Sequence, residues 1–153
     1  MRVSLDERVD NVFSATEALK AHGMRVTPQR IAIYSTLMAS DEHPTVDAIY
    51  EQVIAKCPSI SLNTVYTTLC TMADVGLIRH VDAGDGLCRY DGNPRPHVHV
   101  VCSNCRKVDD LDVEAKLDRR DIARRSGYDI DDVAVYFYGL CPDCKKRRSK
   151  PVT

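Results

Sequence analysis

Residues 61–81 read SLNTVYTTLCTMADVGLIRHV, a stretch that contains a helix start, a helix end and a strand start. The Ser61 hydroxyl can accept a hydrogen bond from the first turn of a helix. The apolar residues that follow recur at helical spacing and predict one buried side; they are Leu62, Val65, Leu69 and Met72. Gly76 suits the end of this helix, and residues 77–81 are strand-like.

The surrounding sequence predicts a winged helix-turn-helix for the first half of the chain. Residues 77–81 and 87–90 are strand-like, and the Ala-Gly-Asp-Gly at 83–86 is typical of a hairpin turn between them. Three further helix starts precede residue 61; they lie at Ser4, at Thr27-Pro28 and after His43-Pro44-Thr45. Helices joined by short turns and followed by a β-hairpin have the element order of a winged helix-turn-helix.

The second half of the chain predicts a smaller α/β domain. Residues 92–96, Gly-Asn-Pro-Arg-Pro, predict a hinge because two prolines and a glycine continue neither a strand nor a helix. Beyond it we expect strands at 97–101, 107–113 and 133–138, a charged helix from about 114 to 126, and a basic tail at 145–150. The predicted fold class is therefore α+β, with a winged helix at 1–91, a hinge at 92–96 and an α/β domain at 97–153.

Composition narrows the class of protein. With 153 residues, 44% of them hydrophobic and 28% charged, the chain suits one compact domain or two small ones. No run approaches eighteen apolar residues, and residues 1–10 lack an apolar signal core, so we expect a cytoplasmic protein. Residues 1–88 carry 7 Lys and Arg against 11 Asp and Glu, and residues 89–153 carry 14 against 11. Bulk charge therefore gives no sign of a nucleic-acid-binding protein.

The chain has seven cysteines, an odd number that favours metal thiolates or free thiols over a disulfide framework. Four of them form two CxxC pairs separated by 35 residues, Cys102 with Cys105 and Cys141 with Cys144. Four thiolates match tetrahedral Zn²⁺ and leave no position for a substrate, so we predict a structural zinc site. Thiol–disulfide chemistry, and redox sensing through zinc release, remain alternatives. Cys57, Cys70 and Cys88 are isolated, and we assign them no role.

Two histidines form a second metal-binding pattern. His97 and His99 alternate on a predicted strand, so both imidazoles lie on the same side of it. Taken alone, each histidine is more often an ordinary surface or core residue, as we expect for His22 and His80. Imidazoles combined with carboxylates suit Fe²⁺ or Mn²⁺ better than four thiolates do, although Zn²⁺ competes on intrinsic affinity.

Several motifs in one order resemble the ferric uptake regulator family between about residues 19 and 144. These are GMRVTPQR at 23–30, HPT at 43–45, NTVY at 63–66, HVHVVC at 97–102 and the two CxxC pairs. The resemblance implies a dimeric, metal-sensing repressor of operator DNA, with an N-terminal winged helix that binds DNA and a C-terminal α/β domain that dimerises.

Within the family, the sequence is most similar to the peroxide-stress regulators. In that group three histidines and two aspartates hold a regulatory Fe²⁺ or Mn²⁺, which implies a site made of His43, Asp91, His97, His99 and Asp110. Iron-uptake regulators commonly have Glu in place of Asp110, and a longer histidine-aspartate cluster in place of Pro96 and Val98. The resemblance further implies that peroxide oxidises His43 or His97, after which the metal is lost and repression ends.

The predicted recognition helix departs from the family at one position. The family often has Val-Tyr-Arg where this chain has Val-Tyr-Thr at 65–67, so one charged contact with DNA is missing at Thr67. Tyr66 is a candidate for contact with a thymine methyl, Asn63 and Thr64 for base edges or phosphates, and Arg25 for a phosphate or the minor groove. Arg30 and Arg79 could also lie toward DNA.

We therefore expect a peroxide-sensing, metal-dependent, DNA-binding repressor that works as a homodimer and is not an enzyme. A repressor that senses iron or zinc occupancy without oxidation is the main alternative. A metal-dependent hydrolase is a distant one, because five protein ligands leave little room for a substrate and no nucleophile constellation appears elsewhere.

Overall fold

The computed structural model describes residues 5–111, 113 and 116–148. The chain forms two compact units. The first contains the residues up to Asp82 together with Gly86–Pro94, and the second contains Ala83–Asp85 together with the residues from Arg95 onward. The fold class is α+β, as the sequence predicted.

The described residues of the first unit form four helices and a two-stranded sheet. The helices are α1 (Leu5–Ala21), α2 (Pro28–Met38), α3 (Val46–Val53) and α4 (Leu62–Asp74), and the antiparallel strands are β1 (Arg79–Val81) and β2 (Arg89–Asp91). The hydroxyls of Thr27, Thr45 and Ser61 each accept a hydrogen bond from the backbone N–H three residues ahead. These caps fix the starts of α2, α3 and α4, because they satisfy N–H groups that the helix itself leaves without acceptors.

The core of the first unit is built from one side of each helix. On α4, Val65, Leu69 and Met72 are fully buried, whereas Leu62 remains exposed although the helical spacing predicted it to be buried. After α4, Gly76 takes a φ of 75°, a left-handed conformation that glycine adopts without a steric penalty. The chain can therefore turn sharply, and Leu77 and Ile78 enter the same core.

In the part of the second unit that the structure describes, a three-stranded sheet is accompanied by two short helices. The elements are β3 (Val98–Cys102), β4 (Val108–Leu111), α5 (Arg119–Ser126), β5 (Val135–Gly139) and α6 (Pro142–Arg148). The strand order is β4-β3-β5, in which β3 pairs with β4 antiparallel and with β5 parallel. A parallel pair needs a long crossover, and here the connection from β3 to β5 contains both β4 and α5.

The structure differs from the sequence-based boundaries at both helices of this unit. Helix α5 begins at Arg119, where the Asp118 carboxylate accepts hydrogen bonds from two backbone N–H groups, and not at residue 114, which lies outside the described residues. The basic tail predicted at 145–150 is helical as far as Arg148. Residues 149 and 150, like Ser4 at the start of α1, also lie outside the described residues.

None of the described helices combines the length and the apolar character that crossing a membrane requires.

Candidate metal centres

The parallel pairing of β3 with β5 brings the two CxxC pairs together. Parallel strands end at the same edge of a sheet, and in this one Cys102 lies opposite Gly139. The ladder continues for one more hydrogen bond, in which Ser103 N–H donates to the Gly139 carbonyl at 2.7 Å. Cys102 is the last residue of β3, and Cys141 comes two residues after the end of β5. The two CxxC pairs, separated by 35 residues in sequence, therefore meet at one place.

The four sulfurs are arranged for one tetrahedral ion. The Sγ atoms of Cys102, Cys105, Cys141 and Cys144 all lie within 4.8 Å of one another. Cys105 Sγ and Cys141 Sγ are 3.7 Å apart. A zinc–sulfur bond of about 2.3 Å gives a tetrahedron with edges of about 3.8 Å, so this spacing fits Zn²⁺.

The surroundings of these thiols give Cys102 and Cys105 different pKa values. The backbone N–H groups of Cys105 and Cys141 donate to Cys102 Sγ at 3.5 and 3.4 Å, and they lower the pKa of Cys102 to about 6. For Cys105, the Lys107 N–H lowers the pKa, but the neighbouring thiols and burial outweigh it and raise the pKa to about 11. Four adjacent thiolates repel one another, so a divalent cation is needed to hold all of them deprotonated.

Three candidate metal ligands lie on one side of the second unit's sheet. On β3, His99 is directly opposite Asp110 of β4, and His97 precedes it by two residues on the same side. Asp110 Oδ1 lies 3.1 Å from His97 Nε2 and 3.5 Å from His99 Nε2. Two imidazole nitrogens therefore converge on one carboxylate oxygen.

A backbone carbonyl sets the orientation of His97. Its Nδ1 lies 2.7 Å from the Arg95 carbonyl oxygen, which only accepts, so Nδ1 is the protonated nitrogen. In the neutral ring, the Nε2 lone pair then points at the Asp110 carboxylate. Two electron-rich atoms at 3.1 Å need a proton or a cation between them. A carbonyl that holds the other ring nitrogen is the usual support of a metal-ligating histidine.

The first unit contributes a histidine–aspartate pair of its own. Thr45 bridges Arg89 in an antiparallel register, and continuing this register places His43 opposite Asp91. His43 Nε2 lies 3.6 Å from Asp91 Oδ2. The Asn93 N–H donates to Asp91 Oδ1 at 2.8 Å, which holds the carboxylate and leaves its other oxygen toward the imidazole.

The chain is similar to known proteins over most of its length. The model of the Ferric uptake regulator family matches residues 21–138. The peroxide-responsive repressor PerR of Staphylococcus saprophyticus is 34% identical over 148 residues, which cover 96% of this chain and 100% of that protein.

This chain belongs to the ferric uptake regulator family.

Solved structures of the family resemble the chain over most of its length. The Campylobacter jejuni peroxide stress regulator gives a TM-score of 0.66 at 30% identity, covering 93% of this chain and 100% of that one. A zinc-bound manganese uptake regulator gives 0.61 at 30% identity, covering 83% of this chain and 98% of that one. The protein is thus a metal-dependent regulator of the ferric uptake regulator family.

Four of the five residues predicted to contact DNA lie on α4, and the fifth, Arg25, lies before α2. Asn63, Tyr66 and Thr67 are exposed on the side of α4 opposite its buried residues, and Thr64 is half-buried. The hydroxyl of Thr67 donates to the Asn63 carbonyl at 2.9 Å, so it is engaged with its own helix. Arg25 is exposed in the segment before α2, where its carbonyl accepts a hydrogen bond from the Arg30 guanidinium at 2.9 Å.

Sequence reasoning missed three groups that support the metal-binding residues. The Asn104 side-chain amide donates to Cys144 Sγ at 3.2 Å, and the Asn93 N–H holds Asp91. The Tyr136 ring stacks on His99 with centroids 5.3 Å apart. The Asp-Gly-Asn sequence at 91–93 is a recognisable turn signal, but only the strand register reveals the stack.

We predict that Cys144→Ser will abolish zinc retention. Loss of one ligand opens the tetrahedral site, and a structural zinc ion contributes directly to folding, so the melting temperature should also fall. Metal content after dialysis against a chelator measures the first effect. Cys57→Ser is the matched control, because this half-buried cysteine lies outside the cluster. Equal zinc retention in Cys144→Ser and wild type would contradict the assignment.

Proposed function

We propose that this protein is a DNA-binding repressor that is active with a regulatory metal bound and is inactivated when peroxide oxidises a ligand histidine. The observation that carries the proposal is the convergence of His97 Nε2 and His99 Nε2 on one Asp110 oxygen, at 3.1 and 3.5 Å. Relatives named peroxide-responsive repressor PerR, up to 34% identical over nearly the full chain, support the peroxide-sensing form.

The regulatory site, in this proposal, is shared by the two units. His43 and Asp91 supply ligands from the first unit, and His97, His99 and Asp110 supply them from the second. Asp91 and His97 are six residues apart, so the chain between them spans at most about 20 Å. Three nitrogens and two carboxylates form a donor set that suits Fe²⁺ or Mn²⁺. The segment 92–96 would act as the hinge between the units.

Metal binding would control DNA binding through this shared site. A closed state that joins all five ligands fixes the first unit relative to the second, and hence the spacing of the two α4 helices in a dimer. If metal and operator DNA favour the same state, each raises the affinity for the other by the same factor, typically worth about 1–3 kcal/mol.

The four-cysteine cluster has a different role in this account. All four Zn²⁺ positions are taken by thiolates, so the ion would be structural and would hold α6 against the ends of β3 and β5. We place the protein in the cytoplasm, where reducing conditions keep cysteines available as metal thiolates or free thiols.

Peroxide sensing needs iron rather than manganese. Bound Fe²⁺ would supply the electrons that activate peroxide, and the net change is transfer of one oxygen atom from H₂O₂ to an imidazole with release of water. Of the two histidines in the second unit's ligand set, His97 is the more exposed, with 13% of its side chain exposed against 4% for His99. His43 and His97 are the proposed targets, as the family resemblance implies.

DNA binding is assigned to α4 and to Arg25, which lies before α2. Tyr66, with 44% of its surface exposed, projects from the α4 face that also carries Asn63 and Thr67. This face offers an aromatic ring for a thymine methyl and polar groups for base edges or phosphates of double-stranded DNA. Arg25 would add a phosphate or minor-groove contact.

A homodimer is supported by the uncovered apolar surface of the second unit. Strand β5 lies at one edge of the described sheet, and Phe137 and Tyr138 on it are 57% and 60% exposed. On α5, Ile122 is 47% exposed, and Tyr128 after it is 73% exposed. An edge strand with large exposed apolar side chains is typical of an interface with another chain.

We predict that peroxide will add one oxygen to a histidine of iron-loaded protein and not of manganese-loaded protein. The measurement is tandem mass spectrometry of tryptic peptides after anaerobic loading and a small dose of peroxide. Peptide 31–56 contains His43 but also the exposed Met38, which gains the same mass. Met38→Leu protein therefore serves as the matched control, and fragment ions must distinguish His97 from His99 in peptide 90–106.

Oxygen on His43 or His97 with iron only is the result that the proposal expects. Unmodified histidines in protein whose DNA binding still depends on metal would instead mean a repressor that senses metal occupancy.

We predict that Phe137→Glu will convert the protein to a monomer with weakened DNA affinity, because a carboxylate at this edge opposes burial against a second copy. Sedimentation equilibrium gives the mass, and a gel-shift assay with a duplex selected from a random pool gives the affinity. Phe13→Glu, which makes the same change at a 68% exposed residue of α1, is the control. A Phe137→Glu dimer that binds DNA normally would refute the interface.

A further inference from the structure

Tyr136 on β5 lies against the metal-binding row of the second unit. Its ring stacks on the His99 imidazole, with centroids 5.3 Å apart and planes inclined by 19°. No pattern in the sequence singles out this tyrosine, and the proposed ligand set does not include it.

The sheet register produces this stack. His99 pairs with Asp110 on β4 and with Tyr136 on β5, so the three side chains form one row on the same side of the sheet. The carboxylate lies beside one edge of the imidazole, since Asp110 Oδ1 is 3.5 Å from His99 Nε2. The phenol ring covers a face of the same imidazole.

The stack constrains the rotation of the His99 ring about its Cβ–Cγ bond, which sets the direction of Nε2. Rotation about the Cβ–Cγ bond of a histidine is broad and roughly two-fold, so packing, and not an intrinsic torsional well, decides the plane of the ring. The backbone carbonyl of Arg95 supports His97 through its Nδ1 atom. The His99 ring contacts two other rings: the His97 ring is tilted by 48° with centroids 4.3 Å apart, and the Tyr136 ring lies nearly parallel to it. The nearly parallel ring is the one that packs along the plane of the His99 imidazole.

We propose that Tyr136 is a positioning residue of the regulatory metal site, which holds the His99 imidazole in the plane that directs Nε2 toward Asp110. This inference rests on the proposed function, because it assumes that His99 binds the regulatory ion. The aromatic ring performs the role, and the phenolic oxygen does not. Groups that orient metal ligands typically affect metal affinity by about 10- to 100-fold.

The test compares Tyr136→Leu with Tyr136→Phe in zinc-loaded full-length protein. Leucine keeps apolar volume but removes the aromatic face, whereas phenylalanine keeps the ring. Tyr50→Leu is the matched control, because it makes the same change at a half-buried tyrosine on α3 of the first unit. Mn²⁺ titration measures affinity, with His99→Ala showing which site is observed. Proton NMR of the His99 ring without Mn²⁺ reports the stack itself, because an aromatic face shifts protons above it.

We expect Tyr136→Leu to lose the ring-current shift and to weaken Mn²⁺ binding by about 10-fold or more, with zinc content unchanged. Tyr136→Phe should retain both, and Tyr50→Leu should match wild type. Wild-type Mn²⁺ affinity in Tyr136→Leu, or equal weakening in Tyr50→Leu, would overturn the positioning role alone. If wild-type protein bound Mn²⁺ no better than His99→Ala does, the proposed regulatory site would fail and the inference with it.

Discussion

The parallel pairing of β3 with β5 is the constraint on which the second unit depends. It brings the ends of both strands to one edge, where Cys102 and Cys141 follow, so that four sulfurs lie within 4.8 Å of one another. The same register sets His99 between Asp110 and Tyr136. A shift by one residue would turn these side chains to the other face. A zinc ion bound by the four thiolates would join the ends of β3 and β5, and so stabilise this register.

In the first unit, a short antiparallel pairing brings His43 and Asp91 together. The segment before α3 runs antiparallel to β2, and backbone hydrogen bonds from Tyr90 to Pro44 and from Val46 to Cys88 fix the alignment. His43 and Asp91 face each other as a result. Asp91 is also the last residue of β2, so a ligand is built directly into the strand that leads to residues 92–96. The proposed regulation therefore needs no separate transmitting element.

Local chemistry in the sequence predicted what local interactions decide. The capping residues Thr27 and Ser61 gave the starts of α2 and α4, and the CxxC spacing indicated the four-cysteine cluster. Long-range packing decided the rest. Leu62 fits the helical apolar spacing but lies in the first turn of α4 and is 42% exposed. The stack of Tyr136 on His99 depends on a register between strands 37 residues apart, which no local pattern encodes.

In the proposed function, one ion that binds residues of both units governs DNA binding. The most direct measurement is the DNA affinity of wild type, His43→Ala and His97→Ala with and without Mn²⁺, using a duplex selected from a random pool on Mn²⁺-loaded protein. We expect Mn²⁺ to tighten wild-type binding by about 5- to 150-fold. Neither variant should respond, although each retains its zinc. A full Mn²⁺ response in His43→Ala, or none in wild type, would contradict the proposed function.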